Sequence, residues 1–518
     1  MRPSWIFASA AAATLVIGGA AVRAMQDGPN HDFGLFIAEQ LRAHSEELFG
    51  FTHPLEESAI GPFDGTDNTQ AIEVAKGLKV SLVSSATASA ADQIALWPDD
   101  NNPKYLFVCD EETSDPAVQR VDLSKPAASN ATTIVSGLLS CDPVRRTPWG
   151  TIVVGEENGA DGGLYEILDP LSINTAIKVT DRATGANTDP NHLVKRQAVG
   201  AVSFESLAIK QNGEMIYGDE LAPNKGTPGG AIYKFVPMVP YSGTGMPIVT
   251  QAQLSPLAAG TIYGLRVAGA NNSNNWGQGA EVGKGLWDVV NKAGAGVLDQ
   301  NGNITLRNAQ TLQKFSGFYR PEDMDVDPLA AAAGVFRACW ANTGRLDFAG
   351  GSLVETSGVY GEILCLTEEP SASAPTKFVP AVTKFLVGSQ QAGMFDNVAF
   401  QPHTGNLVVL EDGPTSIVTP SGNQPRGNDL WICLPDGQDD DTLTDGCVRF
   451  ASIKDTSAEP TGFIFAGSGE YAFVNIQHRA VNDAAGKTNH GALVKISGFK
   501  VKHDDDDHDH DWDKDRDR

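Results

Sequence analysis

The residues best suited to chemistry in this chain are acids that open short apolar strands. Asp92, Asp142, Glu205, Glu322, Asp396 and Glu459 each head such a run. A second acidic row closes the strand that follows: Asp110 and Glu111, Glu156 and Glu157, Asp219 and Glu220, Glu411 and Asp412, with Asn342 and His478 in two copies. Carboxylates gathered in a partly desolvated space repel one another, so they take up protons or bind cations. An oxygen-rich anionic cage suits hard cations, calcium first and ferric iron where charge density is high. The ordinary alternative for any single acid is a turn residue that bonds backbone N–H groups. Alternation along a strand lets only one of each adjacent acidic pair face a shared space, and the sequence leaves open which. The candidate metal ligands are Glu205, Glu322, Glu156, Asp142, Asp396 and Glu459.

The elements that must position these acids repeat along the chain. In the clearest copy, Glu205-Ser-Leu-Ala-Ile-Lys210 leads through Gln211-Asn-Gly213 to Met215-Ile-Tyr-Gly-Asp-Glu220, and then to Gly230-Ala-Ile-Tyr-Lys-Phe235. Asp396 to Phe400, Leu407 to Asp412 and Asn428 to Cys433 repeat the pattern, as do runs starting at Glu322 and Glu459. Weaker copies start near Asp142 and Asp92. Most heads stand roughly 50–75 residues apart, the period of a β-propeller blade. A β-sandwich is the rival all-β reading, but it has too few strands for this length without a second domain. The expected architecture is a six-bladed β-propeller over residues 76–500, which would bring the acid heads together around one axis.

Other segments fall outside the repeat. Arg2, the apolar run Trp5 to Ala21 and the small residues of Val22-Arg23-Ala24 predict a signal peptide over 1–24 and an exported protein, secreted or periplasmic by the general secretory route. Residues 25–75 form an N-terminal segment with an amphipathic helix between Asp32 and Phe49. Residues 237–314 are a Gly- and Asn-rich insertion, including Asn271 to Trp276, with a helix expected at Gly285 to Asn291. It would either cover the channel or form a solvated loop. The end, 501–518, is an Asp- and His-rich tail too highly charged to pack; His503, His508 and His510 could hold divalent metal loosely.

Over its 518 residues the chain carries 38 Lys+Arg against 64 Asp+Glu, a net charge of -26, which argues against a nucleic-acid or anionic-membrane surface. Apolar residues make up 41%, enough for a core. Six cysteines suit an oxidising compartment and allow fifteen pairings. Taken as sequence neighbours they would pair Cys109–Cys141, Cys339–Cys365 and Cys433–Cys447. Asn130-Ala-Thr132 and Asn303-Ile-Thr305 fit the glycosylation pattern. No Cys-x-x-Cys, Gly-x-Ser-x-Gly or phosphate-loop string occurs, which counts against a zinc ribbon, a serine hydrolase or a nucleotide-driven enzyme.

Thr147-Pro-Trp-Gly-Thr151 with Glu156-Glu-Asn158, Arg320-Pro-Glu-Asp323 with Asp327-Pro328, Asp396-Asn397, and Glu459-x-Thr-Gly462 leading to Phe473-Val-Asn-Ile-Gln-His478 run in one order from about residue 140 to 480. Together they resemble the PhoX-type alkaline phosphatases. That resemblance implies an exported, calcium-dependent phosphomonoesterase with an iron and calcium cluster in a propeller channel. It implies Glu205 and Glu322 as metal ligands and Arg320 as the phosphate-binding group, so Arg320 and Glu322 are the candidate catalytic residues. The expected partner is a small phosphorylated substrate, and a monomer is expected. Two positions depart from the family: Gly155 stands where a cysteine thiolate bridges iron, and Phe204 where histidine is usual. The competing readings are a metal-dependent phosphatase, favoured by Arg320 with Glu322, and a non-catalytic calcium-stabilised propeller that binds a ligand or partner, favoured by Gly155. A salt bridge to a channel carboxylate is the plain alternative for Arg320.

Overall fold

The computed structural model of the chain describes residues 35–60, 63, 67–112, 117–223, 228–243, 248, 255–267, 282–344, 360–370, 378–389, 391–413, 416–419, 422–436, 441–477 and 491–501. The expected signal peptide, Asn271 to Trp276, His478 and the histidines of the tail lie outside the described residues.

The repeats are antiparallel meanders, and the fold is all-β with a propeller-like arrangement. In the first, Ala91–Trp97, Tyr105–Asp110, Val118–Asp122 and Ala131–Ser136 pair in order. Alternating small and branched residues let both faces bury, and Val118, Val121, Ile134 and Val135 are fully enclosed. Ile177–Asp181 then adds parallel to Ala131–Ser136 at the outer edge. The second meander is Cys141–Arg146, Ile152–Glu156, Leu164–Ile167 and Leu193–Lys195. The third, from Phe204–Ile209 outward to Gly260–Val267, and the fourth, from Pro321–Val326 outward to Phe378–Val387, share one nine-stranded sheet.

The strand that joins them is Gly283–Val289. This corrects the helix expected at Gly285 to Asn291. Edge strands on both sides offer unpaired backbone groups: the β-favouring Trp287 and Val289 pair with Leu265 and Tyr263, and Gly283 and Lys284 with Val382 and Ala381, rather than close a helical turn. The helix of the insertion is instead Leu306–Gln313, ended by Lys314 at φ 59.

The fifth meander runs Phe395–Phe400, Leu407–Glu411, Asp429–Cys433 and Cys447–Ile453, with Ile72–Val74 from the N-terminal segment added outside. The sixth runs Glu459–Phe465, Tyr471–Gln477 and Ala492–Ser497, and is completed by Lys79–Ser84. Strands from the N-terminal and C-terminal parts of the described chain thus share a sheet, and Ala492–Ser497 is covered on both sides. The six inner strands touch in a closed cycle, each packing on the next and Glu459–Phe465 returning to Ala91–Trp97.

The N-terminal helix breaks at His44 into Leu35–Ala43 and Ser45–Phe49. Gly50 ends it in the left-handed conformation at φ 91, and only glycine fits, because a Cβ there would lie 2.5 Å from the Lys500 nitrogen. Phe49 and Phe51 then join Phe450, Phe463 and Phe499 in one buried cluster. Disulfides join Cys109–Cys141, Cys339–Cys365 and Cys433–Cys447, the neighbour pairing expected from sequence. The first ties two meanders together; the others cross adjacent strands. Asn130 and Asn303 are 2% and 8% exposed and donate to backbone carbonyls, so neither presents an accessible amide for a glycan. Among the described residues, no helix is long and apolar enough to cross a membrane.

Candidate metal centre

A recurring bulge aims the acid heads. Ala91 and Ile94 pair with Asp110 and Val108, so three steps on the inner strand oppose two on its neighbour. The same irregularity begins at Cys141, Phe204, Pro321 and Phe395. The first residue inside each bulge is an acid: Asp92, Asp142, Glu205, Glu322 and Asp396. A bulge kinks its strand and re-aims one side chain, which here turns a carboxylate toward the ring's centre.

The sixth strand differs. Its bulge begins at Thr461, so the counterpart of the five acids is Gly462, not Glu459. Gly462 has φ 57, and a Cβ would lie 2.3 Å from the Asp92 carbonyl oxygen. Only glycine fits there. Glu459 enters from three residues earlier and reaches the centre by its longer side chain, where it bonds Asp412 and accepts from Gln477.

Carboxylate oxygens of Glu205, Glu322 and Asp396 lie within 4.8 Å of one another, and so do those of Asp92, Glu111 and Asp142. Burial, with mutual repulsion added, raises Glu205, Asp92, Asp396 and Glu459 well above the usual carboxylate range, Glu205 chiefly beside Glu322, Asp92 beside Glu111, Asp396 and Glu459 beside Asp412. Glu322 is raised by burial while Arg320 opposes the shift. Asp92 Oδ1 and Asp142 Oδ1 are buried without a hydrogen-bond partner. Orphaned anionic oxygens of this kind are costly unless something positive meets them.

The second acidic row resolves by alternation. Each strand-ending acid turns into its own meander, and the next residue faces the centre. Glu156, expected as a ligand, is wholly buried and accepts from Arg182, Leu139 N–H at 3.0 Å and Gly163 N–H at 3.1 Å. The structure therefore does not bring Glu156 to the cluster. Asp219 is held by Arg307, and Glu411 by Arg426 and the Trp431 indole. Asp110 is pushed up to about 7, mainly by burial. The central positions go to Glu111, Glu157, Glu220, Thr343 and Asp412. Glu157 is raised by burial and by Glu111 and Glu220. Thr343 donates to Glu322 at 3.0 Å, and the Gln477 amide donates to Asp92 and Glu111. The sequence shows both members of each acidic pair but no register to choose between them; Gln477 stands there only inside the string Phe473 to His478, and Thr343 carries no signal.

Arg320 stands in this anionic field at φ 54, a left-handed conformation that costs a non-glycine residue roughly 1–3 kcal/mol and that clusters at functional sites. It pairs with Glu220 at 2.7 Å and Glu322 at 2.9 Å, with 28% of its side chain exposed. The salt bridge to a channel carboxylate is thus present.

A family model for the alkaline phosphatase PhoX matches residues 23–480. The chain belongs to the PhoX family. PhoX from Pseudomonas fluorescens, solved in complex with vanadate as a transition state analogue, is similar over 87% of this chain and 98% of that one, at 16% identity and a TM-score of 0.59. At that identity the likeness speaks to the fold. The gluconolactonase XC5397 from Xanthomonas campestris (11% identity, 86% of this chain, 97% of that one, TM-score 0.38) also matches. So does the pyranose dehydrogenase PQQ domain from Coprinopsis cinerea (11%, 85% and 100%, TM-score 0.40). Neither bears on activity. No curated protein matches by sequence.

Membership of the PhoX family implies metal, so the donor set decides which metal the residues fit. The two triads are all oxygen, which suits calcium. A thiolate-bridged iron does not fit. Gly155 supplies no donor, and a Cβ there would lie 2.5 Å from the Phe204 Cβ and 2.8 Å from the Pro143 Cγ. Phe204 is fully buried, with its ring 5.5 Å from that of Tyr217. The space a PhoX cysteine would need is filled by hydrocarbon.

Proposed function

We propose that this protein is an exported phosphomonoesterase working in a six-bladed propeller, with calcium held by Glu205, Glu322 and Asp396 and by Asp92, Glu111 and Asp142. The observation that carries the reading is the pair of buried carboxylate triads beside Arg320 in a chain of the PhoX family. Glu157, Glu220, Asp412 and Glu459 would complete the oxygen shell. Bound calcium would supply charge neutralisation and Lewis-acid polarisation of the phosphoryl oxygens.

The protein's own groups do the rest. Arg320 offers a planar fork to two phosphate oxygens, and Glu220 and Glu322 hold that fork in place. Its charge, fixed before the substrate arrives, stabilises the equatorial oxygens as the ester bond breaks. Glu322 has two duties, holding cation and orienting Arg320. Three disulfides fit an exported protein.

A second reading, a calcium-stabilised propeller that binds without catalysis, is favoured by Gly155 and Phe204. One comparison separates the two: hydrolysis of p-nitrophenyl phosphate by chelator-treated protein with and without added calcium, with R320A and E322Q alongside. Calcium-dependent turnover that falls at least about 100-fold in both variants is expected. Stoichiometric calcium with no turnover in the wild type would establish the binding reading instead.

A further inference from the structure

We infer that Arg145 is a positioning residue for the axial cation site, setting the spacing of acids it never touches. The inference rests on the calcium reading above.

Arg145 lies on the inner strand Cys141–Arg146, and all of its guanidinium nitrogens are engaged. Nε donates to the Leu207 carbonyl at 3.1 Å. Nη1 donates to the Val144 carbonyl at 3.0 Å and to the Gln93 side chain. Nη2 donates to Asp323 and to the Met324 carbonyl at 3.1 Å. Each partner lies one or two residues past a candidate ligand acid. Gln93 follows Asp92, Asp323 follows Glu322, and Leu207 lies two residues past Glu205.

The connection continues outward. The Gln93 amide donates to the Glu205 carbonyl at 3.4 Å. The second Asp323 oxygen accepts from the Val398 N–H at 3.2 Å, two residues past Asp396. One planar cation therefore ties together the bulges that carry Asp92, Glu205, Glu322 and Asp396, members of both triads.

Such a tie matters because the contacts made by Arg320, Thr343 and Gln477 act on single acids or neighbouring ones, whereas Arg145 joins the backbones behind several. Bare carboxylates push the inner strands apart, and a bulge is a soft place in a strand. Fixing the residue behind each acid holds its oxygens near the cation's preferred distances before binding, so less ordering is left to be done on binding. Lysine cannot substitute, since a single ammonium cannot span partners on four strands in the plane of a guanidinium.

The experiment is calcium titration of chelator-stripped protein by calorimetry, with R145M, R145K and the control R182M, whose arginine holds Glu156 away from the cluster. Unfolding midpoints in chelator are recorded for each. Wild-type protein is expected to bind calcium, and R145M and R145K at least about tenfold more weakly, the usual cost of losing a partner behind a ligand. R182M is expected to unfold at lower temperature with unchanged calcium affinity. Should R145M fail to fold, R145K carries the comparison. Wild-type affinity in a folded Arg145 variant would overturn the inference while leaving the calcium reading intact. No calcium binding by the wild type would overturn the calcium reading and this inference with it.

Discussion

Adding calcium to the stripped protein at pH 7 should release protons. In the Glu205, Glu322 and Asp396 triad, oxygens within 4.8 Å of one another repel by at least about 3.5 kcal/mol per ionised pair at an effective dielectric of 20. Keeping a glutamic acid of ordinary value 4.5 protonated at pH 7 costs about 3.4 kcal/mol. A third carboxylate facing two ionised neighbours meets about 7 kcal/mol of repulsion, so it keeps its proton. Arg320, 2.9 Å from Glu322, offsets part of the remaining repulsion and lets the other two ionise. The metal-free triad therefore holds about one proton, which a divalent cation displaces.

The assay is an indicator-dye measurement in weak buffer, with E205Q for comparison, in which the release should fall. The sign extends to stability. These acids are raised in the folded state, so the native protein binds more protons than the unfolded chain. Metal-free stability should be greatest near the unfolded carboxylate range and fall as pH rises toward the folded values, a slope that calcium flattens. Calcium uptake at pH 7 without any proton release would show the triad already fully ionised and refute the argument.

Two further outcomes follow from packing. G155C should lower the unfolding free energy by about 1–3 kcal/mol, because its Cβ meets Phe204 and Pro143, and elemental analysis should find no iron gained. Stoichiometric iron in that variant would show that the strands separate easily. E156Q should cost about 3 kcal/mol of stability by breaking its buried pair with Arg182 while calcium affinity stays unchanged, whereas E157Q should weaken calcium binding about tenfold with little effect on stability. The opposite pattern would reverse the assignment of the two neighbours.

Much of this protein is written locally. The acid-headed strands, the turns between them and the neighbouring cysteines are short-range features, and periodicity exposes them because each meander must bury its own faces. Asp92, Asp142, Glu205, Glu322 and Asp396 were legible as one set for that reason. The helix expected at Gly285 to Asn291 was not decidable locally: apolar residues there satisfy either periodicity until two distant edge strands supply the hydrogen bonds.

What the tertiary structure alone decided is register. A shift of a single residue moves a side chain to the other face, so Glu156 or Glu157, Glu459 or Gly462, are choices that only strand pairing makes. The same holds for Arg145, whose partners come from strands far apart in the chain. Sequence names the acids, but their mutual distance, and hence their need for a cation, exists only once the ring closes.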